Sequence, residues 1–234
     1  DSASAREEKH PEYSISITFD TGQRSMTGTA SITLPPDVPL NLYCGNLVIT
    51  GVLLDQSGRT PMQLRPSSTN TLDIAATDVD QTIFVSWSLR VPEQVHGDNL
   101  ISPEGITLAG LWHPVPDIDM LYQLKAKLPD NFTAISEGET VYCKDKANNR
   151  FLTSDFPYPV RSIHFVAGPY TVKYKKMANG ISLAAFFFPE DLHLADDYHA
   201  RTASYIKRYE KLIGPYPYTR YSIVENRLPT GYGM

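Results

Sequence analysis

The two histidines His193 and His199 come closest, by residue type and spacing, to a metal site. They stand six positions apart, and on a helix this spacing points them in different directions. Zinc peptidases instead place two histidines four positions apart on one helix face, with a glutamate between them. The sequence contains no such His-Glu-x-x-His motif. Asp196 shares a helix face with each histidine, and we interpret both pairs as solvated helix surface.

Oxygen ligands and nucleophiles are the next candidates. The acid pairs Asp78/Asp80 and Asp117/Asp119 offer carboxylates to calcium, but isolated pairs in loops are usually just hydrated. The sequence has neither a glycine-rich phosphate loop after a strand nor a Gly-x-Ser-x-Gly elbow for a nucleophilic serine. We therefore predict no catalytic residue and no metal ligand in these 234 residues.

A stiff, amphipathic loop runs from Leu111 to Asp117 with the sequence Leu-Trp-His-Pro-Val-Pro-Asp. Its two prolines restrict the backbone, and Trp112 and His113 give it one apolar and one polar group. Two interpretations remain open: a structural corner with a buried indole, or part of the wall of a ligand cleft. Under the second interpretation, Trp112 and His113 are substrate-binding residues.

Apolar and polar side chains alternate over most of the chain, so we expect strands to position the loop Leu111–Asp117 and the other candidate residues. A period of two is typical of half-buried strands. The clearest runs are Tyr13–Phe19, Ala30–Leu34, Leu47–Leu54, Ile83–Leu89, Met120–Leu128, Ile163–Val172 and Ile181–Phe187. Asn179-Gly180, between the last two runs, favours a hairpin turn. The sequence predicts a polar tail over 1–10 and then a mainly β domain over 11–188, built as an antiparallel, saddle-like sandwich or bent sheet.

The pattern changes at Pro189. Pro189-Glu190-Asp191 suits the start of a helix, and Gly214-Pro215 suits its end. Apolar residues between them recur at spacings of three and four and predict one stripe: Leu192, Ala195, Tyr198, Thr202, Tyr205, Ile206, Tyr209, Leu212 and Ile213. A short strand is predicted at Tyr221–Val224. We expect this long helix and short strand to begin a truncated α+β domain over 189–234.

Composition narrows the classes of partner. The 21 basic and 26 acidic residues are interspersed and give a net charge of −5. The basic stripe that nucleic acid requires is absent, and no apolar run approaches the ~20 residues of a membrane span. Cys44 and Cys143 can form a disulfide, but burial of each cysteine in the core without a disulfide is favoured. The polar start Asp1–Lys9 slightly favours export to the periplasm or cell exterior over the cytoplasm, and the oligomeric state stays open.

Longer patterns appear in two stretches. In the first, Glu104–Glu137, the corner leads to a strand and then to Leu-Pro-Asp-Asn-Phe-Thr-Ala-Ile-Ser. The second, Asp155–Met234, contains Tyr-Glu-Lys-Leu-Ile-Gly-Pro-Tyr-Pro-Tyr at Tyr209–Tyr218 and ends on Gly231-Tyr232-Gly233-Met234. In this order they resemble the aminopeptidase N family of gluzincin zinc metallopeptidases. Tyr209–Tyr218 is similar to the family's Gly-x-Pro-Tyr-Pro signature, and the final four residues fall where the family has its Gly-x-Met-Glu-Asn strand.

The resemblance implies a saddle-like β domain packed on a thermolysin-like catalytic domain. In the family, zinc is held by a His-Glu-x-x-His helix and a later glutamate, and it activates water for peptide hydrolysis. Those ligands do not occur in this sequence, so zinc is expected only in the full-length protein and this fragment should be inactive. Gly231, Tyr232, Gly233 and Met234 are implied to line the cleft as an edge strand that pairs with an extended peptide. Glu104 is the nearest polar candidate to face the substrate amine.

Three functions follow from these observations. The favoured one is a non-catalytic N-terminal domain that walls the active-site cleft of a zinc metallopeptidase, an aminopeptidase hydrolysing peptides. The second is a carbohydrate- or protein-binding β-sandwich that uses the 14 tyrosines and two tryptophans. The third is a scaffold from a peptidase-like protein that lacks zinc.

Overall fold

The computed structural model describes residues 9–56, 59–93, 97–144 and 149–228. Within them the strands are β1 Glu12–Asp20, β2 Ser25–Leu34, β3 Leu40–Tyr43, β4 Val48–Gln56, β5 Met62–Gln63, β6 Thr71–Ile74, β7 Gln81–Arg90, β8 Asn99–Ser102, β9 Gly105–Leu108, β10 Val115–Pro116, β11 Leu121–Lys127, β12 Thr133–Ile135, β13 Glu139–Lys144, β14 Arg150–Asp155, β15 Phe165–Gly168, β16 Thr171–Lys176, β17 Ser182–Phe187 and β18 Arg220–Val224. A 3-10 helix, Pro189–Leu194, leads directly into helix α1, Ala195–Ile213.

The strands form four sheets. Sheet I has eight strands in the order β13-β14-β11-β1-β2-β7-β4-β5. Sheet II has the order β10-β3-β6, and sheet III the order β12-β15-β9-β8. Sheet IV has the order β16-β17-β18 and carries α1 on one face. Most neighbours are antiparallel, whereas β1 with β11 and β17 with β18 are parallel.

The alternation of β1 shows why these strands form a layered core. Tyr13, Ile15 and Ile17 point inward and are buried, whereas the hydroxyl side chains between them point outward. Opposite β1, Gly28 of β2 is in register with Trp87 of β7. A side chain at residue 28 would overlap the indole ring of Trp87, so glycine is required for this close approach.

One large apolar core joins sheets I, II and III, and its largest buried side chains include Trp87 and Trp112. A smaller cluster connects sheet III to sheet IV, with Tyr170, Phe186 and Phe188 as its aromatic members. The face of sheet IV that carries α1 has two further small clusters. The α1 end of the molecule is thus joined to the large core by a few aromatic residues.

The predicted fold class is confirmed: the described chain is mainly β, with several antiparallel sheets, one long helix and a following strand. The Asn179-Gly180 turn is also confirmed, and Gly180 has a φ of 91° between β16 and β17. The run Ile163–Val172 is divided, because β15 ends in sheet III and β16 begins in sheet IV. Tyr170, between the two strands, packs into the cluster that connects these sheets.

Helix α1 buries only part of the predicted apolar stripe. Ala195, His199 and Ile206 are its buried residues. Leu192, in the 3-10 helix, is partly buried, whereas five large members of the stripe are exposed in the described structure: Tyr198, Tyr205, Tyr209, Leu212 and Ile213. Ala195 and Ile206 of the predicted stripe therefore pack against sheet IV, whereas its tyrosines lie along an exposed flank of the helix, where Tyr198 still contacts the Phe187 ring edge-on.

The first and last predicted segments are described only in part. Residues 1–8 of the polar tail lie outside the described structure, and Lys9 and His10 are exposed. The division between residues 188 and 189 stays a prediction, and β16 and β17, which precede it, pack with α1 and β18. Among the described residues, no helix is long and apolar enough to cross a membrane.

Candidate functional site

Trp112 and His113, the predicted corner residues, are fully buried in the described structure. The Trp112 indole N–H donates to the Ile163 carbonyl at 3.1 Å, and the Trp87 indole N–H donates to the Trp112 carbonyl at 2.9 Å. These bonds tie the corner between β7 and the segment before β15. Their burial supports the structural-corner interpretation, and we therefore do not propose Trp112 and His113 as substrate-binding residues.

The imidazole of His113 is held as a neutral ring. Its Nδ1 lies 2.9 Å from the Pro114 carbonyl oxygen, which also accepts the Tyr13 hydroxyl at 2.9 Å. His113 Nε2 is buried without a partner among the described residues. Burial lowers the pKa of His113 to about 4, so the ring is neutral at pH 7. Tyr13, Trp112 and Tyr122 surround it edge-on, which suits a structural histidine.

Glu104 lies in a different place, at the turn between β8 and β9. Its side chain is exposed, and its backbone N–H donates to the Ser102 hydroxyl at 3.2 Å. The hydrogen bond from Ser102 holds the pKa of Glu104 below its usual value. A Cβ placed on the neighbouring Gly105 would lie 3.6 Å from Arg227 and 3.8 Å from Phe188. The turn that carries Glu104 therefore lies next to Arg227, which follows β18, and Phe188, which follows β17.

Arg227 is the centre of this junction between sheets III and IV. Its guanidinium carbon lies 3.8 Å from the Phe188 ring centroid, a cation–π contact, and its Nη2 lies 2.5 Å from the Glu190 carboxylate. Glu104 and Glu225 also interact electrostatically with Arg227. Arg227 thus faces several carboxylates and Arg24 also lies near Glu104, so acidic groups outnumber basic ones among the described residues of the junction.

Glu225, just after β18, connects the junction to the sheet. Its carboxylate accepts the Phe188 backbone N–H at 2.8 Å, and its carbonyl accepts the Tyr170 hydroxyl at 2.5 Å. Burial raises the pKa of Glu225, and a hydrogen bond with the Asp191 carboxyl raises it further. The Glu225 carboxyl therefore retains its proton to a higher pH than an ordinary glutamate does.

A second polar cluster ties β18 to the β12–β13 connection. Arg220 of β18 donates through Nη2 to three successive carbonyl oxygens, those of Ser136, Glu137 and Gly138. The Glu137 carboxylate lies 2.5 Å from His164 Nδ1 and also accepts the His164 backbone N–H. The hydrogen bond with Glu137 raises the pKa of His164. Burial alone would raise the pKa of Glu137, but the bonds to His164 outweigh it and lower that pKa.

Sequence reasoning missed both clusters. Arg220 and its carbonyl partners are 82 to 84 positions apart, and His164 and Glu137 are 27 apart. Arg227 follows β18 in a segment without a motif of its own. Spacing within one element cannot reveal such pairs, because the pairing of β12 with β15 brings Glu137 to His164 and the packing of sheet IV brings Arg220 to its carbonyl partners.

The acidic residues considered for calcium form other contacts. Asp78 pairs with Arg59, Asp119 pairs with Arg161, and Asp117 accepts the Asn41 backbone N–H at 2.9 Å. Asp80 lies 4.0 Å from Lys9. Across the part of the chain that the structure describes, no three His, Cys, Asp or Glu side chains come together to hold a metal ion.

His193 and His199 differ from each other in environment. His193 is exposed, with Nδ1 3.1 Å from the Glu190 carbonyl, as expected for solvated surface. His199 is buried, which corrects the surface interpretation for that residue. Cys44 is buried and free, and burial raises its pKa to about 11. The side chain of Cys143 lies outside the described structure.

Gly231, Tyr232, Gly233 and Met234, the predicted edge strand, also lie outside the described residues. Comparisons of the chain with known protein families and with curated proteins find no match. The geometry of the junction and the resemblance of the motifs therefore carry the functional proposal.

Proposed function

We propose that this chain is the non-catalytic N-terminal part of a zinc metallopeptidase, an aminopeptidase-like enzyme that hydrolyses peptides. Its β domain would form one wall of the active-site cleft. The observation that carries the proposal is the contact of the β8–β9 turn with Arg227. This contact joins Glu104 to the segment that continues toward Gly231–Met234, and the resemblance assigns substrate contacts to both.

The charge of the junction supports the amino-terminal specificity. Glu104 is exposed, and its lowered pKa keeps it ionised at neutral pH. Glu190, Asp191 and Glu225 add further carboxyl groups around Arg227. A free peptide α-amino group is a cation near neutral pH, and an acidic surface attracts it and disfavours an anionic group.

The exposed flank of α1 supports a larger assembly. Tyr198, Tyr205, Tyr209 and Leu212 form a stripe over most of the helix, and each is more than 40% exposed. A contiguous apolar stripe of this kind is typical of a surface that packs against further polypeptide. In a thermolysin-like catalytic domain, later segments of the same protein would cover it.

Zinc content and peptidase activity test the proposal. The described residues do not form a zinc site, so the proposal assigns the metal to residues beyond this chain. The full-length protein should contain about one zinc per molecule, hydrolyse aminoacyl arylamides, and lose this activity with a chelator. Absence of zinc and activity from the folded full-length protein would refute the proposal and leave the zinc-free scaffold.

Substitution of Glu104 tests the role of the β8–β9 turn in that enzyme. Glu104→Gln should lower kcat/KM by about tenfold for substrates with a free α-amino group, because a charge-assisted contact is lost. N-acetylated substrates should be unaffected. Glu12→Gln, an exposed acid in β1, is the matched control. An equal effect of both variants would remove Glu104 from the proposed site.

The glycan-binding alternative loses its main support in the structure. Trp87 and Trp112 are both buried, so neither indole offers a stacking surface to a sugar. Exposed tyrosines on α1 remain, and they suit a protein surface as well as a sugar. Glycan-array binding that disappears in a Tyr205→Ala, Tyr209→Ala variant would restore this alternative.

A further inference from the structure

His199 interrupts the apolar contact between α1 and sheet IV. On one side of it along the helix, Ala195 packs with Ala185 and Phe187 of β17. On the other side, Ile206 packs with Leu183 of the same strand. His199 lies on the same buried face and is only 1% exposed. An ionisable ring therefore occupies the middle of a small helix–sheet interface.

The surroundings of this ring oppose a positive charge. Its Nε2 is buried and has no hydrogen-bond partner among the described residues. Lys173 and Lys175 of β16 are in register with Ala185 and Leu183, on the face of sheet IV that α1 covers. Asp196 is the acid that favours protonation, and it already pairs with Lys173 at 2.7 Å. Burial and Lys175 together lower the pKa of His199, and a hydrogen bond with the Lys173 backbone offsets this in part.

We propose that His199 is an acid-responsive release element, whose protonation loosens helix α1 from sheet IV. The neutral ring already leaves its buried Nε2 without a partner among the described residues, but it carries no charge. The protonated ring places a second N–H donor where no acceptor faces it and adds a cation beside two lysines. The open state, in which the ring reaches water, takes up the proton readily and is favoured as the pH falls.

Release of α1 would also affect the contacts of the junction around Arg227. The 3-10 helix Pro189–Leu194 runs directly into α1 and carries Glu190 and Asp191. Glu190 pairs with Arg227, and Asp191 shares a hydrogen bond with Glu225. A loosened α1 would therefore weaken the hold on these two acids. This inference does not depend on the proposed peptidase function.

Hydrogen exchange of the α1 amides tests the proposal on the folded chain. For one group, opening takes up at most one proton, beginning near the ordinary histidine pKa of 6.5. Protection factors in α1 should therefore fall by up to about tenfold between pH 7.5 and pH 5.5. In His199→Leu they should stay constant over this range. His193→Gln, which removes the exposed histidine of the adjoining 3-10 helix, should behave like the unsubstituted chain.

Two further measurements keep the test decisive if His199→Leu does not fold. Lys175→Met removes an exposed like charge, so it should reduce the pH dependence of protection in α1. The His199 ring, followed by NMR, should titrate below the ordinary histidine pKa of 6.5. The proposal is overturned by pH-independent protection of α1, by an unchanged pH dependence in His199→Leu or Lys175→Met, or by a titration midpoint of His199 at or above 6.5.

Discussion

Replacement of Gly28 by alanine should destabilise the β domain through a collision with Trp87. The new Cβ would overlap two indole carbons of Trp87 and lie 2.9 Å from a third, Cη2. Carbon atoms pack at about 3.5–4.0 Å, so the ring would have to move by about 1 Å or more. The Trp87 indole is 1% exposed and donates to the Trp112 carbonyl at 2.9 Å. A movement of this size would break that hydrogen bond.

The expected loss of stability is the sum of two effects. Overpacking of a dense core costs about 1–3 kcal/mol, and a buried indole N–H left without its acceptor costs about 1–3 kcal/mol. Gly28→Ala should therefore lower the free energy of unfolding by about 2–6 kcal/mol. For an m-value of about 2 kcal/mol/M, the urea midpoint would fall by about 1 M or more.

Urea unfolding followed by tryptophan fluorescence suits this test, because Trp87 and Trp112 are the two tryptophans of the chain. Gly51→Ala in β4 is the matched control, since a Cβ there meets nothing within 4 Å. It should change stability by less than about 1 kcal/mol. A cost for Gly28→Ala no larger than for Gly51→Ala would refute the reasoning. So would an undiminished cost in a Trp87→Leu background, measured as a double-mutant cycle by circular dichroism.

Three further predictions concern the corner and the second polar cluster. Trp112→Phe should lower the free energy of unfolding by about 1–3 kcal/mol, because the buried Ile163 carbonyl loses its donor; urea unfolding followed by circular dichroism measures this. Arg220→Met should lower the free energy of unfolding by about 1.5–3 kcal/mol in the same assay, because its hydrogen bonds to three carbonyl oxygens are lost. Arg208→Met, at an exposed position on α1, is the control and should lower it by less than about 0.5 kcal/mol. The raised pKa of His164 adds stability that is complete below its ordinary value of 6.5 and is lost as the pH rises through the folded value. The lowered pKa of Glu137 adds stability above its ordinary value of 4.5 that is lost as the pH falls through the folded value. The difference in thermal midpoint between the unsubstituted chain and His164→Gln should therefore be largest between pH 4.5 and pH 6.5 and small at pH 8. The ion pair should contribute less than about 1 kcal/mol to the free energy of unfolding, because both side chains are half exposed.

The strand pattern was predictable because its cause is local. In β1, the alternation of Tyr13, Ile15 and Ile17 with hydroxyl residues specifies which face is buried whatever strand lies beside it. The hairpin turn at Asn179-Gly180 is equally local, since few residues other than glycine adopt a positive φ easily. The parallel pairing of β1 with β11 was not predictable, because either direction buries the same residues.

The candidate site was only partly predictable. The sequence singled out Glu104, Trp112 and His113 by residue type and motif, but it could not separate an exposed turn from a buried corner. The structure does so: Glu104 is exposed beside Arg227, whereas both corner residues are enclosed by β1, β7 and β11. Burial depends on what lies above a side chain, and that neighbour is distant in sequence.

Helix α1 shows most clearly which features the sequence determines and which ones tertiary packing decides. The start of the helical segment at Pro189, its end before Gly214 and its apolar periodicity follow from the sequence, because helix termini and side-chain spacing are set by nearby residues, but the change from the 3-10 helix to α1 at Ala195 was not predicted. Which face meets sheet IV is decided by tertiary packing. Ala195, His199 and Ile206 fit against β17, and the tyrosines are left on the flank. The periodicity describes an apolar surface, but only the sheet that the helix meets determines which side of that surface is buried.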